Sequence, residues 1–508
     1  MDPTPDPFLA MRRELTDWRQ WLTRFVVLAA AAAAGLVIVA FTWLADHALT
    51  LFDRIAHLGW WAPLLWMPLS TAGIVWVTRR FAPATAGSGI PQVMASLDTG
   101  VAPADTHKFV SLRLTFAKIL LTAWGLLAGL SLGREGPSVQ IAAGVMYSAR
   151  KLLPSRSAIS GHGLLVAGGA AGIAAVFNAP LAGVMFAIEE LSRRPEQRSS
   201  GLLIAAIVLS GLIAVSIYGN ATYFGVIQVP SIGWALFWPG LLVTMVCGAS
   251  GGLFSRLLLR SLSGSGERLN RWRRRRPVLF AAACGGAVAL IGLATAGATF
   301  GSGYSYTRAL LDGTHNAPVI YALCKFTATW ITAWSGIPGG LFAPALAIGA
   351  GLGNDVAALA GPPERTALIA LGMVGFLAAV TQAPLTAFII VMEMIDGHAM
   401  VLSLMACALL SSLFSKLIGP PIYPSLAQLL VPAEPATAPA GATAPVVHEP
   451  VVPAPVAAAP PAPPVASTSA SIPAASSPPS PVALPAIPSP TADSTTPDDP
   501  AAAAQGPA

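Results

Sequence analysis

An all-α, polytopic membrane fold built from a duplicated unit is predicted by three features of this sequence: scarcity of charge, apolar runs of membrane length, and self-similarity at a constant offset. Of its 508 residues, 54% are hydrophobic and 10% charged, whereas soluble domains carry about 25% charged residues. Residues 25–45 and 57–77 form apolar runs of the roughly 20 residues that a helix needs to cross the hydrocarbon core. Residues 168–189 can be laid on residues 372–393 at an offset of 204. Glu189 and Pro180 coincide with Glu393 and Pro384, a match of charge and proline that composition alone rarely produces.

The chain divides by composition into an N-terminal cytoplasmic segment (1–24), a first membrane repeat (25–218), an inter-repeat loop (219–233), a second membrane repeat (234–431) and a tail (432–508). The first segment mixes acids and bases (Asp2, Asp6, Arg12, Arg13, Glu14), with no small-residue cleavage site close behind it, so a cleaved signal peptide is not expected. The tail is rich in Pro, Ala, Ser and Thr and is expected to be disordered and cytoplasmic.

The net charge of +6 does not indicate nucleic acid, because the bases sit where topology places them. Arg79 and Arg80, then Arg193, Arg194 and Arg198, then the run Arg271, Arg273, Arg274, Arg275 and Arg276 each border an apolar segment and mark cytoplasmic loops. Cys247, Cys284, Cys324 and Cys407 lie inside apolar stretches without paired spacing, so they read as small core residues rather than disulfides or metal ligands. No clustered ligands suggest a metal, and no cofactor motif is present.

Within the duplication, Ala174, Ala175 and Val176 match Ala378, Ala379 and Val380, and Ala179, Pro180 and Leu181 match Ala383, Pro384 and Leu385. Upstream, Lys118, Gly133, Pro137 and Ile141 pair with Lys325, Gly340, Pro344 and Ile348. Repeats with interrupted helices characterise secondary transporters, whose substrate site lies near the midplane between the halves. Whether the repeats are inverted depends on an odd or even number of crossings per half, which short re-entrant segments leave open.

Three segments share the pattern Gly, three residues, Pro, then an apolar run: Gly87-Ser88-Gly89-Ile90-Pro91, Gly133-Arg134-Glu135-Gly136-Pro137 and Gly340-Leu341-Phe342-Ala343-Pro344. Each reads as a helix start, since glycine permits an irregular approach and proline in the first turn loses no needed hydrogen bond. A helix that begins inside the membrane offers unpaired N–H groups and the positive end of its dipole, a natural anion site. The alternative is a set of kinks in ordinary spanning helices. Three such starts in one chain, two of them at corresponding places in the repeats, favour the anion site. A fourth segment, Gly301-Ser302-Gly303-Tyr304, echoes the first without its proline and reads as a relic of the duplication.

The segments GSGIP, GREGP and GGLFAP, in that order, together with FNAPLAGVMFAIEE and IYPSL, resemble the signature motifs of the CLC chloride channel and transporter family over residues 25–430. The resemblance implies a CLC-type fold of two inverted-topology repeats of tilted, partly re-entrant helices, and a homodimer in the bacterial inner membrane with one pore per subunit. Exchange of chloride for protons is the implied activity, with a passive voltage- or pH-gated chloride channel of the same fold as the alternative. By the same resemblance the hydroxyls of Ser88 and Tyr423 coordinate the anion. The backbone of Gly89, Ile90, Leu341 and Phe342 completes that central site, and Arg134, Glu135 and Gly136 surround a more external one. Glu135 competes with the anion as a protonatable gate, and Glu190 falls at the internal proton-transfer position of exchangers. Glu189 is matched by Glu393 in the second copy and reads as structural, whereas Glu190 is matched by Met394 and is the extra acid. Lys118 resembles a lysine near the anion path, yet its partner Lys325 points to an architectural role.

An enzyme is not expected. Gly129-Leu130-Ser131-Leu132-Gly133 and Gly248-Ala249-Ser250-Gly251-Gly252 match the nucleophile pattern G-x-S-x-G, but neither lies between a strand and a helix, and no histidine is placed to act as base.

Overall fold

The computed structural model describes residues 17–431 apart from 99–100, 103, 155–156, 158, 193–199, 220–221, 226–233, 265–267, 315–316 and 361–364. Most of the expected N-terminal segment, Arg193, Arg194 and Arg198, and the expected disordered tail lie outside the described residues.

The first half contains α1 (Trp18–Ala56), α2 (Trp61–Phe81), α3 (Ile90–Ser96), α4 (Leu112–Leu127), α5 (Glu135–Ser148), α6 (Gly161–Val176), α7 (Pro180–Phe186) and α8 (Ser200–Tyr218). The second half contains α9 (Phe237–Ser263), α10 (Arg268–Arg275), α11 (Pro277–Ala294), α12 (Tyr304–Leu311), α13 (Ile320–Ser335), α14 (Phe342–Ala360), α15 (Arg365–Thr381), α16 (Pro384–Ile395), α17 (Val401–Ile418) and α18 (Ile422–Gln428). Among the described residues, 7 helices are long and apolar enough to cross a membrane. Others, such as the 7-residue α3, are too short to cross, so their ends must be met by protein.

Helix α1 starts at Trp18, upstream of the apolar run that opens at residue 25. Asp17 caps it by accepting from the Arg19 amide at 3.0 Å, and the exposed Trp18 and Trp21 suit the headgroup region, where helical structure continues beyond the apolar run. Its 39 residues span about 58 Å at 1.5 Å per residue, nearly twice the hydrocarbon thickness.

Reciprocal contacts relate the two halves. The Gly133 amide donates to Gly340 O (2.8 Å) and the Gly340 amide to Gly133 O (2.7 Å). Such an exchange between equivalent residues requires a local two-fold axis between them. Buried Lys118 donates to Thr85 O (2.8 Å) and Gly87 O (2.7 Å), while buried Lys325 donates to Thr299 O (3.0 Å) and Gly301 O (2.8 Å). Each lysine therefore holds the glycine loop of its own half, which is the architectural role that the duplication suggested. Helices α5 and α6 approach closely through Gly168, where an added Cβ would lie 2.7 Å from Ala143 Cα, and α14 and α15 do so through Gly372, where it would lie 2.9 Å from Gly353 N.

The repeats are inverted. Helices α2 and α11 each precede the glycine loop of their half and pack against one another. Arg79 and Arg80 stand in the last turn of α2, whereas the arginine run precedes the first turn of α11. Arg273 lies within electrostatic reach of Arg79. The two equivalent helices thus run in opposite directions with their arginines on one side of the bilayer.

Across the axis, two acids exchange caps. Glu189 accepts from the Leu385 and Thr386 amides (3.1 and 2.6 Å) at the start of α16. Glu393 accepts from the Leu181 and Ala182 amides (3.3 and 2.7 Å) at the start of α7. Each carboxylate neutralises the positive end of the other repeat's helix, worth about 1–2 kcal/mol in a half-buried setting. Glu189→Ala or Glu393→Ala is accordingly expected to lower thermal stability in detergent by a similar amount each, measured by tryptophan fluorescence. Unchanged unfolding temperatures in both variants would contradict the role assigned to these caps.

Candidate functional site

The three Gly-to-Pro segments open three helices, and the hydrogen bonds reveal why they attract negative charge. In α5 the first intrahelical donor is the Ser138 amide, to Arg134 O at 3.0 Å; in α14 it is the Ala345 amide, to Leu341 O at 2.9 Å; in α3 it is the Val93 amide, to Gly89 O at 3.2 Å. Proline removes the donor at Pro137, Pro344 and Pro91. The preceding amides, those of Glu135 and Gly136, of Phe342 and Ala343, and of Ile90, precede these donors and have no carbonyl one turn back. They point the positive ends of their helices into a protein interior instead of water.

Packing brings these ends together. The Ser88 hydroxyl lies against Gly136, where an added Cβ would stand 2.9 Å from Ser88 O. Gly89 has φ 107° and faces Gly136 O, which would be 2.7 Å from a Cβ, so both the backbone angle and the space demand glycine. Phe342 stacks on Tyr423 with ring centroids 5.9 Å apart and planes at 12°. The Tyr423 side chain is next to Ser88 and within electrostatic reach of Glu190 and Glu135. Ser88, Glu135 and Tyr423 are all buried, and the Ser88 hydroxyl has no backbone hydrogen-bond partner. A serine satisfied as its own helix cap would have one.

Glu135 is 1% exposed and its Oε2 accepts from the Ala343 amide at 3.4 Å, while Oε1 has no protein partner. The carboxylate thus lies at the N-terminus of α14, a place that would equally suit a small anion. Arg134 does not pair with it. The guanidinium turns away to Asp46 on α1, forms an ion pair there, and also donates to Tyr223 Oη (3.3 Å) and lies 5.8 Å from the Tyr223 ring centre. At the start of α5 Arg134 therefore offers its backbone, while its guanidinium is held by Asp46 and Tyr223.

Glu190 sits in a single π turn, Ala187–Leu191, that continues α7, and is 6% exposed. That burial contradicts a solvated helix-end charge. Leu341 and Ser88 border a small cavity of about 40 Å³ together with Gly87, Ile337 and Gly340. On the other side of Glu135 a cavity of about 1260 Å³ is lined by Asp46, Asp53, Arg134, Tyr223, Ser302 and Tyr304. It lies toward the end of α1 opposite the capped N-terminus and so faces away from the arginine-rich surface. The Gly301 loop, read from sequence as a relic, forms part of this wall.

Three participants were not singled out from sequence. Asp46 is an acid directly at the end of the apolar run 25–45, a signal that could have found it. Tyr223 carries no such signal, because it belongs to the inter-repeat loop and reaches Arg134 only through folding. The Ala343 amide could be reached by counting the free donors of α14. The two G-x-S-x-G serines are engaged elsewhere: Ser131 with the Thr329 hydroxyl at 2.9 Å and Ser250 with Val246 O at 2.6 Å.

A family model described as voltage gated chloride channel matches residues 70–416. The chain is 31% identical over 442 residues to the H(+)/Cl(-) exchange transporter ClcA of Citrobacter koseri, covering 82% of this chain and 89% of that protein. It is 32% identical over 422 residues to the protein of that name in Cronobacter sakazakii, covering 77% and 86%. The crystal structure of a slow cyanobacterial Cl−/H+ antiporter matches with a TM-score of 0.71 at 24% identity, covering 81% of this chain and 98% of that one. A CLC-type fluoride/proton antiporter matches with a TM-score of 0.65 at 22% identity, covering 79% and 96%. At these identities the two structures establish the fold.

Proposed function

The chain belongs to the voltage-gated chloride channel family, and we propose that it works as a secondary transporter exchanging chloride for protons across the bacterial inner membrane. The observation that carries this reading is the Glu135 carboxylate held at the Ala343 amide. Chloride and carboxylate are both compact anions, and one helix end accommodates one of them at a time. Deprotonated, Glu135 occupies the position; protonated, it loses the charge that holds it there and yields to chloride. Proton uptake and anion entry become one event.

Ser88 and Tyr423 would hold chloride by their hydroxyls, with the Ile90 and Phe342 amides at its other sides and Gly89 allowing the close approach. Gly136 and the backbone of Arg134 would serve an outer position beside Glu135. Glu190, buried next to Tyr423, would receive protons from the cytoplasmic side. Passive conduction needs the helix ends and the hydroxyls but has no use for a second buried acid. Glu190 and the exchanger names of the relatives therefore favour exchange, and no covalent chemistry enters the reading.

Assembly as a homodimer with one pore per subunit is part of the proposal. It is supported by exposed Leu181, Ile188 and Leu385 on α7, its π turn and α16 beside the local axis; the mass of the detergent-solubilised particle tests it.

The deciding experiment uses liposomes with a chloride gradient and no proton gradient. Protons should move uphill as chloride runs down, recorded by a pH electrode and a chloride electrode together. Chloride flux without proton movement would overturn exchange and leave the channel reading.

A further inference from the structure

Beyond transport, we propose that α10 and the start of α11 form a binding site for the phosphate headgroup of an anionic phospholipid in the cytoplasmic leaflet. Residues 267–276 contain six arginines against Glu267, and folding sorts these arginines into two sets. Arg273 and Arg274 are engaged by backbone carbonyls at the end of α9, donating to Ser261 O (3.5 Å) and Gly264 O (2.6 Å). Buried Asn270 accepts from Trp334 Nε1 at 3.2 Å, so the helix is tied down on its inner side. Arg268, Arg271, Arg275 and Arg276 face outward and, with Trp272, line a cavity of about 370 Å³. Positions 268, 271 and 275 follow helical spacing and share one face. Among the described residues no carboxylate forms an ion pair with these four arginines.

Position selects the partner. Helices α9 and α11, which flank α10, are both long and apolar enough to cross the membrane, so α10 lies at the boundary between water and lipid. Trp272 packs edge-on against Phe280 in the first turn of α11, ring centroids 5.2 Å apart, as aromatic side chains do in the interfacial belt. Exposed Leu269 and Leu279 provide apolar surface for acyl chains beside the arginines. Guanidinium forks match phosphate oxygens in pairs, and juxtamembrane basic clusters attract anionic lipid.

The test titrates phosphatidylglycerol and phosphatidylcholine into the purified full-length protein in detergent and counts bound lipid by native mass spectrometry. Wild-type protein should retain phosphatidylglycerol in preference to phosphatidylcholine and should release it as salt is raised. R268Q/R271Q/R275Q should weaken phosphatidylglycerol binding by roughly a hundredfold, about fivefold for each cation near the surface. R268K/R271K/R275K should keep most of the binding, and chloride flux in phosphatidylcholine liposomes should match wild type for both variants. Equal phosphatidylglycerol binding by wild type and the glutamine variant, or equal binding of the two lipids by wild type, would overturn the proposal. Displacement of the lipid by millimolar inorganic phosphate would overturn its lipid part and assign the cavity to a soluble phosphate. Should the glutamine variant not fold, salt dependence and lipid preference in wild type alone still decide.

Discussion

Proton transport vanishes in Glu135→Ala while chloride still crosses: this is the expected result in liposomes bearing a chloride gradient. The carboxylate accepts from the Ala343 amide, so alanine removes the competitor and leaves the helix ends of α5 and α14 in place. A charge-assisted hydrogen bond contributes about 1.5–3 kcal/mol. Freed of that contest, chloride is expected to bind about ten- to a hundredfold more tightly, measured by isothermal titration of the detergent-solubilised variant. Chloride flux should also lose its pH dependence in the range where Glu135 titrates. Persistent uphill proton movement in this variant would remove Glu135 from the coupling step, and a loss of both fluxes with intact folding would make it part of the anion site itself.

Glu190→Gln is expected to stop proton movement and spare chloride, for a different reason. Glutamine keeps the size and the hydrogen-bonding ability of the side chain, so the π turn at Ala187–Leu191 has no steric cause to rearrange. What it cannot do is take up and release a proton. The neighbouring Glu189→Gln is the control: its side chain caps α16, so it should cost stability and keep coupling. Proton flux at the leak level for Glu190→Gln and at wild-type level for Glu189→Gln would separate the two adjacent acids. Full coupling in Glu190→Gln would assign the inner proton step to another group.

These two acids mark how far residues alone can be read. The duplication distinguished them because Glu189 has a counterpart in Glu393 and Glu190 has none, and the reciprocal caps agree with a structural role for the first pair. What each carboxylate caps was invisible, since Glu189 and Thr386 are far apart in the chain and meet only across the local axis. Arg134 is a parallel case. Its neighbour in sequence is Glu135, yet its partners are Asp46 and Tyr223, because the side chain leaves the helix start in the direction that α1 and the inter-repeat loop leave open. The lysines were legible as a pair, while their carbonyl acceptors were not.

By itself the sequence determined that the chain enters lipid, that its halves are copies and that a helix starts within each of the three Gly-to-Pro segments. Those properties depend on hydrophobicity and on backbone chemistry within a few residues. Only the tertiary structure decided that these helix ends meet, that Glu135 reaches the Ala343 amide rather than Arg134, and that α1 extends seven residues upstream of the apolar run, to Trp18 (25 minus 18). Such contacts join segments remote along the chain, and their geometry comes from close packing of glycine-rich helices about a shared axis.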